Sequence, residues 1–339
     1  MIKRIGLRTL SFEKGPAIIG YGSVVGKKEK EGPLGDEFDA FFDDCRFAEE
    51  TYEKAESRMQ KIAVETALSK CGLCENDIDY IFAGDLLNQC IGSSFSIRNM
   101  QIPFIGLYGA CSTMTLALSV AAVFIESKAA KFTAAVTSSH FCSAERQYRF
   151  PLEYGSQRTP TSQWTATAAG ATILGENENK PFIAKSTIGK IVDLGVKDAN
   201  NMGAAMAPAA ADTIKSFFND TSSSPEDYDL IFTGDLGQVG SDLLYDILKK
   251  DGIDIRCRHS DCGLLLFNRN VQDTHAGASG CGCSAAVLNS YVLHKMEEKS
   301  LKNILFVSTG ALLSPTSTLQ GESIPGIAHL INIKSERQV

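Results

Sequence analysis

The sequence is poor in several features, and each shortage excludes a class of protein. It holds one tryptophan and ten cysteines in 339 residues, a cysteine content well below that of a disulfide-stabilised scaffold. It also lacks an excess of positive charge, because 40 acidic residues outnumber 33 basic ones and leave a net charge of −7. That balance argues against a nucleic-acid partner, although it permits a small cationic pocket for an anion.

Long hydrophobic runs are missing as well. The longest uncharged stretch, residues 99–125, contains proline, glycine and several hydroxyl side chains. Its apolar part, residues 114–125, is too short to cross a bilayer and predicts a buried helix. Residues 1–6 do not open a signal-peptide pattern. We therefore expect mostly free thiols in a reducing compartment and only peripheral contact with a membrane.

What the sequence does have is the composition of a globular protein and an internal repeat. Hydrophobic residues make up 44% and charged residues 22%, which is typical of a chain with a substantial core. Residues 77–86 match residues 227–236 at seven of ten positions. Two weaker matches, of residues 19–20 with 188–189 and of residues 131–138 with 302–309, follow the same order. We predict a duplicated chain, with halves at residues 1–175 and 176–339.

Each half has the pattern strand, helix, strand, helix, strand. The predicted elements of the first half are residues 17–21, 52–70, 80–83, 112–127 and 132–137, and those of the second half are residues 191–193, 204–218, 230–233, 284–298 and 304–308. Alternating strands and helices predict an α/β fold whose sheets are covered by helices. Ligands of such folds usually bind beyond the carboxyl ends of the strands.

The most informative local motif is FIGLYGACST at residues 104–113, directly before the apolar helix. The glycine-bearing turn places Cys111 at a helix start, where backbone amides and the helix dipole favour a thiolate. A cysteine nucleophile is prepared in this way. Cysteine is also a common core residue, so these residues leave both a catalytic and a structural role open for Cys111.

The other cysteines indicate structural roles. Cys71 and Cys74 form a CxxC pair without a second pair at zinc-finger spacing, and Cys257, His259 and Cys262 have no fourth ligand nearby. We therefore expect no metal site. The segment GASGCGCS at residues 277–284 consists of small residues, which permit close approach of the backbone to a helix or to a ligand.

The doubled pattern, Cys111 at a helix start and the small-residue segment of the second half together resemble the thiolase superfamily. The similarity to ketoacyl synthase III-type condensing enzymes covers nearly the whole chain and implies α/β layers in the order α-β-α-β-α. The segments SSHF at 138–141, AERQ at 144–147, RFP at 149–151, EYG at 153–155 and GCGCSA at 280–285 resemble one branch, the stage V sporulation protein AD family. This family belongs to the SpoVA system, which moves dipicolinic acid into developing bacterial spores.

The resemblance places Cys111 at the nucleophile position, but the other catalytic positions differ. Asp235 stands where condensing enzymes carry a histidine, and Thr274 stands at the next catalytic site, with His275 one residue away. Residues 308–311 replace the late Cys-Gly-Gly segment of thiolases. A carboxylate repels a developing oxyanion unless it is protonated. The resemblance thus implies a binding descendant of an enzyme, in which Cys111 is a vestigial nucleophile and His275 regains a role only if its loop shifts.

The ligand that the resemblance implies is dipicolinic acid, pyridine-2,6-dicarboxylate, which is a planar dianion at neutral pH. Guanidinium groups suit its carboxylates, and the segment 140–164 supplies arginines and aromatic rings. The predicted ligand-binding residues are Cys111, His140, Arg146, Arg149, Asp235, His275, Gly280 and Ser284. A structural role for His140 and a solvated surface for the arginines stay open as alternatives.

We predict a non-catalytic thiolase-fold protein that binds dipicolinic acid, free or as its calcium chelate, supports its uptake into spores and needs no cofactor. The alternative is an active acyltransferase, a 3-oxoacyl synthase III-like condensing enzyme that uses Cys111. A third possibility is a scaffold for partner subunits. The expected partners are other SpoVA proteins at the cytoplasmic face of the spore inner membrane. The sparsely charged residues 95–105 predict a homodimer contact.

Overall fold

The computed structural model describes residues 1–148 and 158–337, which contain fifteen strands and eleven α-helices. The strands are β1 (Ile2–Ile5), β2 (Thr9–Phe12), β3 (Ala17–Gly26), β4 (Ala40–Phe42), β5 (Tyr80–Gly84), β6 (Phe104–Gly106), β7 (Thr133–Ser139), β8 (Trp164–Thr165), β9 (Ala168–Gly175), β10 (Phe182–Thr187), β11 (Leu230–Thr233), β12 (His259–Asp261), β13 (Ala278–Ser279), β14 (Asn303–Ala311) and β15 (Gly326–Lys334). The helices are α1 (Lys27–Lys30), α2 (Tyr52–Cys71), α3 (Ile91–Ile97), α4 (Thr113–Glu126), α5 (Phe141–Tyr148), α6 (Met202–Thr221), α7 (Gly237–Lys250), α8 (Cys262–Leu266), α9 (Cys281–Val287), α10 (Leu293–Glu297) and α11 (Pro315–Leu319).

The strands of the two halves follow the same spatial order. In the first half the order is β6-β5-β7-β9-β3, and in the second half it is β12-β11-β14-β15-β10. In chain order these strands are β3, β5, β6, β7 and β9 in the first half and β10, β11, β12, β14 and β15 in the second. Both halves therefore have the spatial order third, second, fourth, fifth, first. The inner pairs β5 with β7 and β11 with β14 are parallel, and the following pairs are antiparallel. The predicted duplication is therefore confirmed, while the boundary between residues 175 and 176 stays a prediction.

The helices form three layers around these strands. Helix α2 packs on β3, β9 and β7, and α6 packs on β15 and β14. Between the halves lie α4, which contacts β5, β7, β14 and β15, and α9, which contacts β7, β9 and β3. The central place of α4 follows from its composition, because a helix that is apolar on most of its circumference must be buried. The arrangement is the predicted α-β-α-β-α stack.

Local sequence signals explain where the outer helix α2 starts and stops. The side chain of Thr51 accepts a hydrogen bond from the Lys54 amide at 3.2 Å, which satisfies one of the free amides of the first turn. Gly72 follows the last turn with a φ of 70°, a left-handed conformation that glycine adopts without strain. The structure therefore places α2 within one residue of the predicted helix.

One predicted strand is wrong. Residues 191–193 form no strand, and Val192 makes only an isolated bridge with Gly326. The first strand of the second half is β10, which pairs with β15, β2 and β3. The partly buried Lys185 interrupts the apolar pattern of β10. The Ile-Val pair at 191–192 has the composition of a strand, but it has no neighbouring strand with which to form a ladder.

Helix α9 begins earlier than predicted, at Cys281 instead of residue 284. Gly280 has a φ of 105° and turns the chain from β13 directly into the helix. A π-helical turn, Leu288–Val292, then joins α9 to α10. The predicted helix is thus one continuous element with a local change of pitch.

Within residues 1–148 and 158–337, the chain forms no helix whose length and apolar character would allow it to cross a membrane.

Candidate functional site

Cys111 lies in the turn that connects β6 to α4. The preceding residue, Ala110, has a φ of 50°, a left-handed conformation that is costly for a residue with a side chain. Thr113 holds the turn, because its hydroxyl accepts from the Gly109 amide at 3.0 Å and donates to the Ala110 carbonyl at 2.6 Å. The Cys111 side chain is buried in this position.

The second half of the molecule supports this turn through the backbone of β14. A Cβ atom on Gly310 would lie 2.5 Å from the Gly109 carbonyl oxygen and 3.2 Å from the Cys111 amide nitrogen. Only glycine allows two backbones to approach so closely. The position of Cys111 therefore depends on contact between the halves.

The Cys111 thiol faces a buried carboxyl group that follows β11. Its Sγ atom is 3.8 Å from the Ser279 hydroxyl, which in turn donates to Asp235 Oδ2 at 3.1 Å. The Gly280 amide donates to the same oxygen at 3.0 Å, and the Thr309 hydroxyl donates to Oδ1 at 2.7 Å. Asp235 is fully buried. Asp235, which follows β11, is thus linked to the end of β13 and to β14, and this group of residues faces Cys111 of the first half.

Burial raises the pKa values of both acidic groups at this centre. It raises the pKa of the Cys111 thiol well above its ordinary value, and the charge of Asp235 raises it further. Burial also raises the pKa of the Asp235 carboxyl, against hydrogen bonds that lower it. Burial and the charge of Asp235 outweigh the lowering of the pKa that we expected from the helix start. Cys111 is therefore a neutral thiol at pH 7.

Cys111 lines a cavity of about 70 Å³ that opens to solvent. Its walls are mainly apolar, with two tyrosines, a few neutral polar groups and one acidic residue, Glu145. The lining includes Leu86, Tyr108, Ala144, Tyr148, Thr165, Asn200, Ser279 and Leu313. Such a site, apolar with a small number of polar groups, is typical of a pocket for a small molecule.

The family of this chain follows from sequence comparison. The model of the family "Stage V sporulation protein AD (SpoVAD)" matches residues 6–334. Stage V sporulation protein AD of Bacillus subtilis (strain 168) is 44% identical over 328 residues, which are 97% of this chain and 97% of that protein. The chain belongs to the SpoVAD family. It is a sporulation protein, as its motifs indicate.

Solved structures confirm the fold of this SpoVAD family member. The 3-oxoacyl-[acyl-carrier-protein] synthase III of Aquifex aeolicus VF5 has a TM-score of 0.56 at 14% identity, covering 94% of this chain and 100% of its own. An OleA variant of Xanthomonas campestris bound with cerulenin has a TM-score of 0.60 at 13% identity, covering 96% of this chain and 97% of its own. At such identities the likeness concerns the thiolase-like fold alone.

Of the predicted site residues, the structure brings Cys111, Asp235 and Gly280 together. Ser284 is buried in α9, where its hydroxyl donates to the Cys281 carbonyl at 3.4 Å. Arg149 lies outside the described residues. Its chain neighbour Tyr148 lines the cavity.

His140 and Arg146 have partners of their own in this SpoVAD family member. The buried ring of His140 contacts the Cys45 carbonyl through Nε2 at 2.6 Å and accepts from the Cys142 amide at Nδ1 at 3.1 Å. Burial lowers the pKa of His140, so the ring is neutral at pH 7. Arg146 forms an ion pair with Glu53. Neither side chain lines the cavity beside Cys111.

His275 does not line the cavity beside Cys111 either. Its φ is 51°, and its Nε2 atom is 3.2 Å from the Asp273 carboxylate. His259, one of the three residues weighed as a metal ligand, is instead hydrogen-bonded to Thr233 at 2.8 Å and Tyr245 at 2.7 Å.

Sequence reasoning missed Ser279 and Thr309 as functional residues. Ser279 lies inside the small-residue segment 277–284, and Thr309 is the last residue of the segment 302–309 that repeats residues 131–138. A hydroxyl at a strand end is too common to single out by itself. Only the paired register of the strands shows that both side chains reach Asp235.

The first half carries a buried acid at the position that repeats Asp235. Asp85 Oδ2 accepts from the Ser93 amide at 2.7 Å and from its hydroxyl at 2.6 Å. Beside it, Glu56 accepts from the hydroxyls of Ser138 and Ser143, both at 2.9 Å. Burial, with the charge of Asp85, raises the pKa of Glu56 to about 8. The repeat therefore places buried acids in both halves.

We expect the buried carboxyl groups to make the free energy of unfolding fall as the pH rises from about 5 to 8. The pKa of Glu56 is about 8 in the folded chain against an ordinary value of 4.5, so this group binds more protons in the folded state in this range. Each such proton contributes a slope of at most about 1.4 kcal/mol per pH unit. Burial raises the pKa values of Glu29 and Asp261 to about 7, which adds slope of the same sign. Burial lowers the pKa values of His259 and His329 to about 4, so these histidines give a slope of the opposite sign below about pH 6.5. Urea unfolding at a series of pH values measures it.

Glu56→Gln is the decisive variant, because the amide keeps the size of the carboxyl group and does not titrate. Its stability profile should be flatter than that of the wild type between pH 5 and 8. Glu65→Gln, on the exposed face of the same helix, should leave the profile unchanged. A Glu56→Gln profile parallel to the wild type would contradict the prediction.

Proposed function

We propose that this SpoVAD family member is a non-catalytic binding protein whose cavity beside Cys111 holds dipicolinic acid during its uptake into spores. One observation carries the proposal: Cys111 faces Asp235 and Ser279 where a thiolase-type enzyme needs a base and oxyanion donors. Among the described residues that line the cavity, none is a histidine. Burial and the neighbouring Asp235 raise the pKa of the Cys111 thiol well above its ordinary value, so little of the nucleophilic thiolate forms at pH 7.

The chemistry of the cavity supports a small planar ligand with hydrogen-bond acceptors. Tyr108 and Tyr148 offer ring surface, and the hydroxyl of Thr165 and the amide of Asn200 offer donors. We propose that Arg149, directly after Tyr148 in the chain, supplies a charged donor to a carboxylate.

Cys111→Ala is expected to leave the fold intact and to weaken dipicolinate binding by about 1 kcal/mol, which is roughly fivefold. The thiol is a wall of the proposed pocket, so its loss removes contact surface without removing charge. Isothermal calorimetry at pH 7 with the free dianion and with its calcium chelate measures the change.

Cys262→Ala is the matched control, because this cysteine is also buried and does not line the cavity. Its affinity for dipicolinate should equal that of the wild type. Benzene-1,3-dicarboxylate, which lacks the ring nitrogen, tests whether recognition extends beyond the two carboxylates. Absence of binding up to millimolar dipicolinate, with and without calcium, would refute the proposed function.

Acyl transfer is the second candidate function, and the position of Cys111 directly before the long buried helix α4 favours it. An active enzyme would transfer an acyl group from a thioester to Cys111 Sγ. Mass spectrometry after incubation with acetyl-CoA tests this directly. We expect no adduct, and a stable adduct that is absent from Cys111→Ala would establish the enzyme instead.

We further propose that the protein forms a homodimer through β6. Among the described strands, β6 pairs only with β5 and leaves its other edge open. Phe95 and Phe104 are 46% and 39% exposed at this edge, and Arg98 lies over the Phe95 ring at 4.5 Å. Exposed aromatic side chains at a free edge are typical of a contact surface.

Sedimentation at micromolar concentration is expected to give a dimer, and Phe104→Lys should shift it toward a monomer. A lysine on the edge strand places like charges opposite one another across a two-fold axis. Leu319→Lys changes a more exposed apolar residue elsewhere, at 89% exposure, and should leave the dimer intact. A wild-type monomer under these conditions would refute the dimer.

We also infer that the protein works with other SpoVA proteins at the cytoplasmic face of the spore inner membrane. Membership of the SpoVAD family supports this inference. Co-purification from sporulating cells, compared between the wild type and Phe104→Lys, would test whether a SpoVA partner binds and whether it uses the same edge. Recovery of the protein only in fractions free of membrane would contradict it.

A further inference from the structure

Two cysteines that lie 97 positions apart in the sequence meet beside His140. Cys45 follows β4 and Cys142 lies in the first turn of α5, and both line a second cavity that does not include Cys111. The Cys45 side chain contributes to the raised pKa of the Cys142 thiol, as a neighbouring thiol does. The His140 ring joins the two backbones, because it contacts the Cys45 carbonyl oxygen and accepts from the Cys142 amide.

Buried aromatic contacts hold the two segments in this arrangement. Phe47, two residues after Cys45, is fully buried, and its ring meets the His140 ring edge-on at a centroid distance of 6.4 Å. Phe42 packs against Phe47 at 4.4 Å. Each thiol is therefore two residues from a buried ring, and the two rings are in contact. The His140 ring and these aromatic contacts hold the two segments beside each other, as formation of a disulfide requires.

The two thiols differ in access to solvent. Cys45 is exposed, whereas Cys142 is partly buried. Burial raises the pKa of Cys142 to about 11, so this side chain is a neutral thiol at pH 7. An exposed thiol reacts first with a soluble reagent, and a second thiol in contact with it can displace the product.

We propose that Cys45 and Cys142 form a reversible disulfide by exchange with a small-molecule disulfide such as oxidised glutathione. Cys45 loses its proton to solvent and attacks one sulfur of the reagent, which forms a mixed disulfide and releases one glutathione thiolate. Cys142 then loses its proton to solvent and attacks Cys45 Sγ, which breaks the mixed disulfide and releases the second glutathione. Two cysteine thiols are oxidised, and one small disulfide is reduced to two thiols.

The disulfide ties the segment after β4 to α5, and this has a structural consequence. Helix α5 carries Ala144 and Tyr148, which line the cavity beside Cys111. Oxidation therefore fixes one wall of that cavity to the outer loop. The proposal itself concerns bond formation and does not depend on which ligand the cavity holds.

Incubation of the folded, full-length chain with oxidised glutathione tests the proposal, followed by alkylation of the remaining thiols and peptide mass mapping. The expected product is a cross-linked pair of peptides containing Cys45 and Cys142, which dithiothreitol reverses. In Cys142→Ser the glutathione adduct on Cys45 should persist at least about tenfold longer than in the wild type, because nothing displaces it.

Cys74→Ser is the matched control. Cys74 is exposed like Cys45, and its thiol donates to the Asp77 carboxylate at 3.1 Å, so its loss should leave the cross-link unchanged. In urea the preference for this pair should disappear. The proposal is overturned if Cys45 of the folded wild type keeps its adduct as long as Cys142→Ser does, or if the cross-links join other cysteines.

Discussion

Asp235→Ala is expected to lower the free energy of unfolding by about 3 kcal/mol. The substitution removes the acceptor of the Ser279 hydroxyl, the Gly280 amide and the Thr309 hydroxyl in a fully buried site. A buried donor without a partner costs about 1–3 kcal/mol. The wild-type protein carries the desolvation cost of a buried acid, and removal of the acid offsets part of the loss in stability. Urea unfolding monitored by circular dichroism measures the loss.

Asp235→Asn separates the loss of hydrogen bonds from the loss of charge. The amide keeps one acceptor oxygen and the same shape, so we expect it to cost less than half as much as alanine. Asp242→Ala, at an exposed position of α7, should change stability by less than about 0.5 kcal/mol. Equal stabilities of Asp235→Ala and Asp242→Ala would show that the buried acid does not organise this centre.

Gly310→Ala is expected to cost about 2 kcal/mol and to disturb the site itself. The new methyl group would lie 2.5 Å from the Gly109 carbonyl oxygen and 3.0 Å from the Ser112 amide nitrogen. Both contacts are with backbone atoms, which cannot rotate away as a side chain can, so the turn carrying Cys111 must move. We expect lower stability in urea and faster alkylation of Cys111 by iodoacetamide.

Gly106→Ala is the control for this variant. Its Cβ would meet the Phe104 ring at 3.2 Å, and Phe104 is an exposed side chain with room to move. The substitution should leave the alkylation rate of Cys111 within about twofold of the wild type. If Gly310→Ala behaves in the same way, the close approach of β14 does not hold the turn in place.

The duplication could be predicted from sequence because the same strand motif occurs twice in the chain. Residues 77–86 and 227–236 contain the same strand and the same Gly-Asp ending, and the structure places Asp85 and Asp235 in matching positions. The central helix α4 was predictable for a different reason. Its first thirteen residues carry no charge, and an uncharged helix of that length is stable in water only when it is covered on most sides.

Strand β10 could not be predicted from local sequence in this way. Its stability comes from partners on both edges, β15 on one side and β2 and β3 on the other. A local pattern with Lys185 in the middle does not reveal those partners. Strand formation depends on pairing, so a short β-branched run elsewhere resembled a strand more closely than β10 did.

The sequence by itself determined the fold and the family and singled out Cys111, Asp235 and Gly280 as candidate site residues, since repeats, periodicity and motifs are local properties of the chain. Only the tertiary structure decided which side chains share a site. It brought Ser279 and Thr309 to Asp235 and gave His140 and Arg146 other partners. The physical reason is that a side chain's surroundings depend on strand register and on packing between elements, and these couple residues that lie 44 to 95 positions apart in the sequence. The same packing buries Cys111 as a neutral thiol, although its place at a helix start favours a thiolate.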